Sequence, residues 1–177
     1  MEFKDFSFHG LKSMDEEGTF EGNLAVYGNL DSANEIIDPG AFAKTLQEGG
    51  RIIPMLWQHD PQQPIGRLTL TDTPTALHAK GKLLLKLPKA QEAYELLKEG
   101  VLKGLSIGYQ TIKAISADGP RRLKEIRLHE GSLVTFPANA LAVVTGVKQA
   151  TNEDLKNLQR LREASNDMKR FYQEMFN

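Results

Sequence analysis

The sequence predicts an α+β fold: mainly an antiparallel β-barrel flanked by helices, ending in a long C-terminal amphipathic helix. Three observations carry this. Short apolar or alternating runs recur between glycine, proline and asparagine punctuation, as strands joined by tight turns do. Only two internal stretches, opening at Asp38-Pro39 and at Pro88, combine a helix start with helical spacing. From Thr151 onward the chain lacks proline and glycine, and Leu158, Leu161, Met168, Tyr172 and Met175 follow a three/four spacing. Residues 1–150 are therefore expected to form one domain and residues 151–177 an amphipathic helix whose apolar stripe needs a partner.

Taken in order, residues 2–10 alternate loosely and read as a strand, and residues 18–28 read as a second, bounded by glycines. Asp38 suits an N-cap and Pro39 the first helical position; Phe42 and Leu46 share a face, and Gly49-Gly50 ends the helix. Residues 51–59 are apolar and extended, and run into a proline-bounded turn over 60–64. Strands over 65–71 and 76–87 follow. Pro88 starts a helix with Ala93, Leu96 and Leu97 at helical spacing and Gly100 as its stop. Residues 101–115, 121–129, 130–136 and 141–147 read as further strands, with a hairpin signal at Ala117-Asp118-Gly119-Pro120.

Composition limits the partners. A 40% hydrophobic and 25% charged chain is ordinary for a globular protein, and a net charge of −1 gives no reason to expect nucleic acid or an anionic membrane. The absence of cysteine excludes disulfides, thiolate metal sites and a cysteine nucleophile. Glu2, Lys4 and Asp5 argue against a signal peptide, and no apolar run approaches the roughly 18 residues of a membrane span. No cofactor is expected.

Chemistry concentrates at Gly104-Leu105-Ser106-Ile107-Gly108, where glycines on both sides leave the approach to the Ser106 hydroxyl open. A serine nucleophile needs a base, and usually a third group to orient that base. Of the four histidines, His9 and His78 read as surface or satisfied residues. His59 ends an apolar strand before a rigid Asp-Pro, which would fix where its imidazole points. Glu130 or His129 could supply the third group. As strand neighbours they face opposite ways, so only one shares a face with Ser132 and Val134. No pair has metal-ligand spacing, so no metal site is expected. An α/β-hydrolase elbow is a poor fit, because here a helix precedes the serine and a strand follows it.

Several ordered blocks resemble the prohead maturation proteases of tailed bacteriophages. They are Phe20-Glu21-Gly22 through Tyr27-Gly28, Pro39-Gly40-Ala41-Phe42, and Leu56-Trp57-Gln58-His59-Asp60 with Pro64-Ile65-Gly66. Gly104 through Tyr109 and Glu130 through Asn139 complete the set. That family is related to the herpesvirus assemblins, serine proteases built on a β-barrel surrounded by helices. The resemblance implies a herpesvirus-protease-like fold with residues 1–150 as the protease domain. It implies Ser106 as nucleophile, His59 as general base and Glu130 as third member, with His129 the runner-up. It places the oxyanion loop near Ala138 and Asn139, by position only. The implied substrates and partners are the major capsid protein, its scaffolding segment and the protease itself, by dimerisation or self-cleavage, inside the assembling prohead in the host cytoplasm. Gly131, where relatives are expected to carry a β-branched residue, and Ala140, where a proline is common, depart from the pattern. The rival reading is a non-enzymatic assembly factor that keeps the fold for scaffold binding.

Overall fold

The computed structural model describes residues 17–116 and 119–146. The expected strand over 2–10 and helix over 151–177 lie outside these residues. In chain order the elements are β1 (Thr19–Val26), β2 (Glu35–Ile37), α1 (Ala43–Gln47), β3 (Ile52–Trp57), β4 (Asp60–Asp72) and β5 (Ala76–Leu83). They continue with α2 (Pro88–Lys98), β6 (Gly104–Ile115), β7 (Arg121–Val134) and β8 (Val144–Gly146). Strand-rich and helix-poor, the chain forms one sheet ordered β2-β7-β3-β4-β5-β1-β8, with β6 on β7.

The sheet curls into a half-barrel. Its two ends approach where Leu105 N donates to Ala142 O and Val144 N to Lys103 O, both at 2.9 Å. Alternation along the strands sends Phe20, Leu24, Met55, Leu68, Leu70, Leu77, Leu105 and Leu133 into one core, each at most 2% exposed. Most pairings are antiparallel, but β7 runs parallel to β2 and to β3. The long strand β7 thus joins the edge strand β2, the hairpin β3–β4 and the strand β6 that carries Ser106.

Four local expectations are corrected. Residues 60–64 are not a turn: the chain reverses at Gln58-His59, and β4 starts at Asp60 with a bulge that accommodates Pro61 and Pro64. The segments 121–129 and 130–136 form the single strand β7, because β6 pairs with it almost throughout. β2 was not foreseen, since three residues carry no readable period. Asp38 does not cap α1, whose N-cap position is Phe42 without a side-chain bond. Instead the buried Asp38 carboxylate takes Arg122 on one oxygen and Lys124 on the other, tying the loop after β2 to β7. Thr45 docks α1 on the same strand, donating to Ile126 O at 2.8 Å and accepting from Leu128 N at 3.2 Å.

Burial pushes the Asp38 pKa up, but hydrogen bonds and charges from Lys124 and Arg122 outweigh it and hold the carboxyl below its ordinary 3.8. A depressed folded-state value means that this pairing stabilises the fold above the unfolded pKa and is lost as pH falls through the folded one. Stability in urea is expected to drop between about pH 5 and about pH 2, and Asp38→Asn to flatten that drop. An unchanged slope in the variant would show that Asp38 does not carry it.

Candidate active site

The β6–β7 ribbon places the site by period two. Ser106 lies directly opposite Ser132 and Gly108 opposite Glu130, so these four share the outer face. Leu105, Gly131 and Leu133 point the other way, into the core. His59 arrives from the neighbouring hairpin, because parallel pairing of Leu56 with Ser132 and Trp57 with Leu133 brings the end of β3 beside this face.

The turn that carries His59 is costly. Gln58 and His59 have φ of 52° and 62°, as in the two-residue hairpin turns that normally take Asn-Gly. Left-handed backbone at a non-glycine residue costs on the order of 1–3 kcal/mol and needs support. Support comes from β7 and the segment after it. Gln58 N donates to Leu133 O at 3.0 Å, Gln58 Nε2 donates to Thr135 Oγ1 at 2.9 Å, and His59 N donates to Ser132 Oγ at 3.2 Å.

The imidazole sits in line between two groups. His59 Nε2 is 2.9 Å from Ser106 Oγ, and His59 Nδ1 is 2.7 Å from Glu130 Oε1. With a proton on Nδ1 donated to the carboxylate, Nε2 offers its lone pair to the hydroxyl. The His59 side chain is 42% exposed and that of Glu130 12%, so the ring meets solvent while its orienting carboxylate is shielded. Such an array can take a proton from Ser106 as its oxygen attacks a carbonyl.

The structure therefore brings Ser106, His59 and Glu130 together. His129 is exposed at a bulge in β7, where Gly108 pairs with Glu130 but the next residue, Tyr109, pairs with Leu128 and leaves His129 unopposed. The flanking glycines have a reason beyond access to Oγ. A Cβ on Gly108 would lie 2.3 Å from Glu130 Oε1, and one on Gly104 2.5 Å from Val134 O, so Gly108 makes the space the carboxylate occupies. A Cβ on Gly131 would lie 2.4 Å from Leu68 Cδ1; here leucines fill the room a β-branched side chain would need. Sequence reasoning did not assign a role to Gln58 or Ser132. For Ser132 the signal was its place two residues from Glu130 on one strand face.

Beside Ser106 opens a small pocket, continuous with solvent, whose walls include Ile107, Tyr109, Ala138, Asn139, Asp31 and Glu35. The loop bearing Ala138 and Asn139 is pinned. Ser32 N donates to Ala138 O at 3.0 Å, Ala142 N donates to Asn139 O at 2.9 Å, and the side-chain amides of Asn139 and Asn29 pair reciprocally. Deeper in, Tyr109 donates its hydroxyl to Glu35, which also pairs with Arg121 at 2.5 Å. Burial, reinforced by that carboxylate, holds the Tyr109 phenol above its ordinary range. Among the described residues, no group of three or more His, Asp or Glu side chains could hold a metal ion.

The fold is that of the herpesvirus proteases. The KSHV protease, solved with a hexapeptide phosphonate inhibitor, superposes with a TM-score of 0.53 at 16% identity, over 82% of this chain and 76% of that one. The sequence profile of the caudovirus prohead serine proteases matches residues 7–159, and the chain belongs to that family. It is a serine peptidase. The prohead protease of Enterobacteria phage HK97 is 32% identical over 152 residues, 80% of this chain and 67% of that one. A capsid polyprotein of Pseudomonas phage PAJU2 is 30% identical over 155 residues, covering 81% of this chain but 22% of the polyprotein.

Proposed function

We propose that this chain is the endopeptidase that trims the scaffolding segment of the phage major capsid protein, and cleaves itself, during prohead maturation in the host cytoplasm. The observation that carries the mechanism is the His59 imidazole hydrogen-bonded to Ser106 on one nitrogen and to Glu130 on the other. His59 takes the Ser106 proton as Oγ attacks the peptide carbonyl, and a tetrahedral oxyanion forms. The imidazolium then protonates the leaving amine, and the C–N bond breaks to give an acyl-enzyme. Water, deprotonated by the same imidazole, hydrolyses the ester and returns the proton to Ser106. Glu130 holds the ring and offsets its charge while it is protonated. Backbone N–H groups of Ala138 and Asn139, in the pinned loop beside Ser106, are the oxyanion donors in this reading.

Past Leu105, no described strand pairs with the outer edge of β6. An extended substrate segment adding to that edge would run past Ser106 with one of its side chains directed into the pocket. The capsid protein as partner draws support from the PAJU2 relative, whose name is that of a capsid polyprotein.

Co-expression with the major capsid protein of the same phage tests the assignment. Intact-mass measurement of assembled particles is expected to show a shortened capsid protein, with full length restored by Ser106→Ala. A full-length capsid protein beside folded, wild-type enzyme in assembled particles would overturn the substrate; trimming that survives Ser106→Ala would overturn the nucleophile.

A further inference from the structure

One buried hydroxyl touches the site twice. Ser132 is 0% exposed although its side chain lies on the outer face of the β6–β7 ribbon, because the Gln58-His59 turn covers it. Its Oγ accepts from the backbone N–H of His59 at 3.2 Å and donates to Glu130 Oε2 at 2.7 Å. The direction follows from chemistry. A backbone N–H can only donate, so Oγ must accept there, and an ionised carboxylate can only accept, so the single hydroxyl proton goes to Glu130.

The bonds close a ring. It runs from the His59 backbone through Ser132 Oγ to Glu130 Oε2, and from Glu130 Oε1 back to the His59 imidazole. We infer that Ser132 is a positioning residue for the reaction: it locks the Glu130 carboxylate and the left-handed His59 backbone in one register. This rests on His59 and Glu130 acting as base and orienter. Without Ser132, Glu130 Oε2 loses a charge-assisted bond and the carboxylate can rotate away from Nδ1. The His59 N–H would be left without its partner beneath a strained turn. Both changes move the imidazole relative to Ser106 Oγ, and displacements of that kind are costly to catalysis. Gly108 and Ser132 then act together on Glu130, one by leaving room for it and the other by holding it.

The test reads the rate at which a fluorophosphonate probe labels Ser106, and kcat and KM on a peptide spanning the mapped capsid cleavage site. Ser132→Ala is expected to lower labelling and kcat about 10–100-fold, with KM within about twofold, as loss of an orienting partner does. Ser132→Thr, which keeps the hydroxyl, is expected to recover most of the loss. In a Glu130→Ala background the same Ser132→Ala change is expected to cost less than about threefold, because the two residues act as a unit. In the Ser106→Ala protein, which cannot cleave itself, adding Ser132→Ala is expected to shift the proton resonance of the His59 Nδ1–H.

A Ser132→Ala enzyme with kcat within about twofold of wild type would overturn the inference, as would a loss fully additive with Glu130→Ala. An unmoved Nδ1–H resonance would overturn it as well. Should Ser132→Ala fail to fold, Ser132→Cys takes its place in each arm, with a thermal melt as the control. Full activity of Glu130→Ala, by contrast, would strike at the proposed triad beneath the inference.

Discussion

Ser106→Ala is expected to lower peptide-bond hydrolysis by about 10⁶-fold, and adding His59→Ala to it to lower the rate no further. In the proposed mechanism the two residues are one device. The imidazole at 2.9 Å has no proton to take once Oγ is gone, and Oγ without a base is a poor nucleophile near neutral pH. What survives comes from substrate binding and oxyanion donors, which act without either side chain. Ser106→Ala removes only one oxygen from a side chain at the solvent edge of the site, so the melting temperature is expected to stay within a few degrees of wild type, about 1 kcal/mol or less in stability. Single-turnover cleavage of the capsid-derived peptide measures the wild type and both variants. Activity of Ser106→Ala within about 100-fold of wild type, or a further large loss in the double variant, would show that Ser106 and His59 do not work as a pair.

Glu130→Ala is expected to cost about 10⁴-fold in kcat, whereas His129→Ala leaves kcat unchanged. Glu130 Oε1 holds Nδ1 at 2.7 Å and thereby the tautomer in which Nε2 can accept the Ser106 proton. Glu130→Gln is a sharper probe, because an amide of nearly the same shape can present its N–H₂ to Nδ1 and so stabilise the wrong tautomer. His129 is exposed at the bulge in β7, while the two ring nitrogens of His59 are taken by Glu130 and Ser106, so its loss is expected to remove nothing the reaction uses. Steady-state kinetics on the same peptide distinguish the cases: a larger loss in His129→Ala than in Glu130→Ala would transfer the role to the histidine.

Much of the site was legible because local rules governed it. The glycines around Ser106 and the apolar run ending at His59 are properties of consecutive residues, whereas the simple alternation expected between His129 and Glu130 is broken by a bulge in β7 at His129. Helix α2 was legible for the same reason, with Pro88 in its first turn and Ala93 and Leu97 buried at helical spacing. Expectations failed where a distant strand overruled local chemistry. Asp60-Pro61 through Pro64 carries strong turn residues, yet pairing with β3 draws it into β4 and moves the reversal onto Gln58-His59, two residues with no intrinsic liking for positive φ. Asp38 has the chemistry of a helix cap but spends its charge on Arg122 and Lys124, more than 80 positions away.

The kinds of element and the candidate groups for chemistry were readable residue by residue, from alternation, helix punctuation and side-chain chemistry. Only the tertiary structure decided that His59, Ser106 and Glu130 meet within 3 Å, and that Ser132 ties two of them together. The physical reason is register. Which residue faces which across β3, β7 and β6 depends on the bulge in β4, the room at Gly108 and the parallel entry of β3, and none of these is a property of neighbours along the chain.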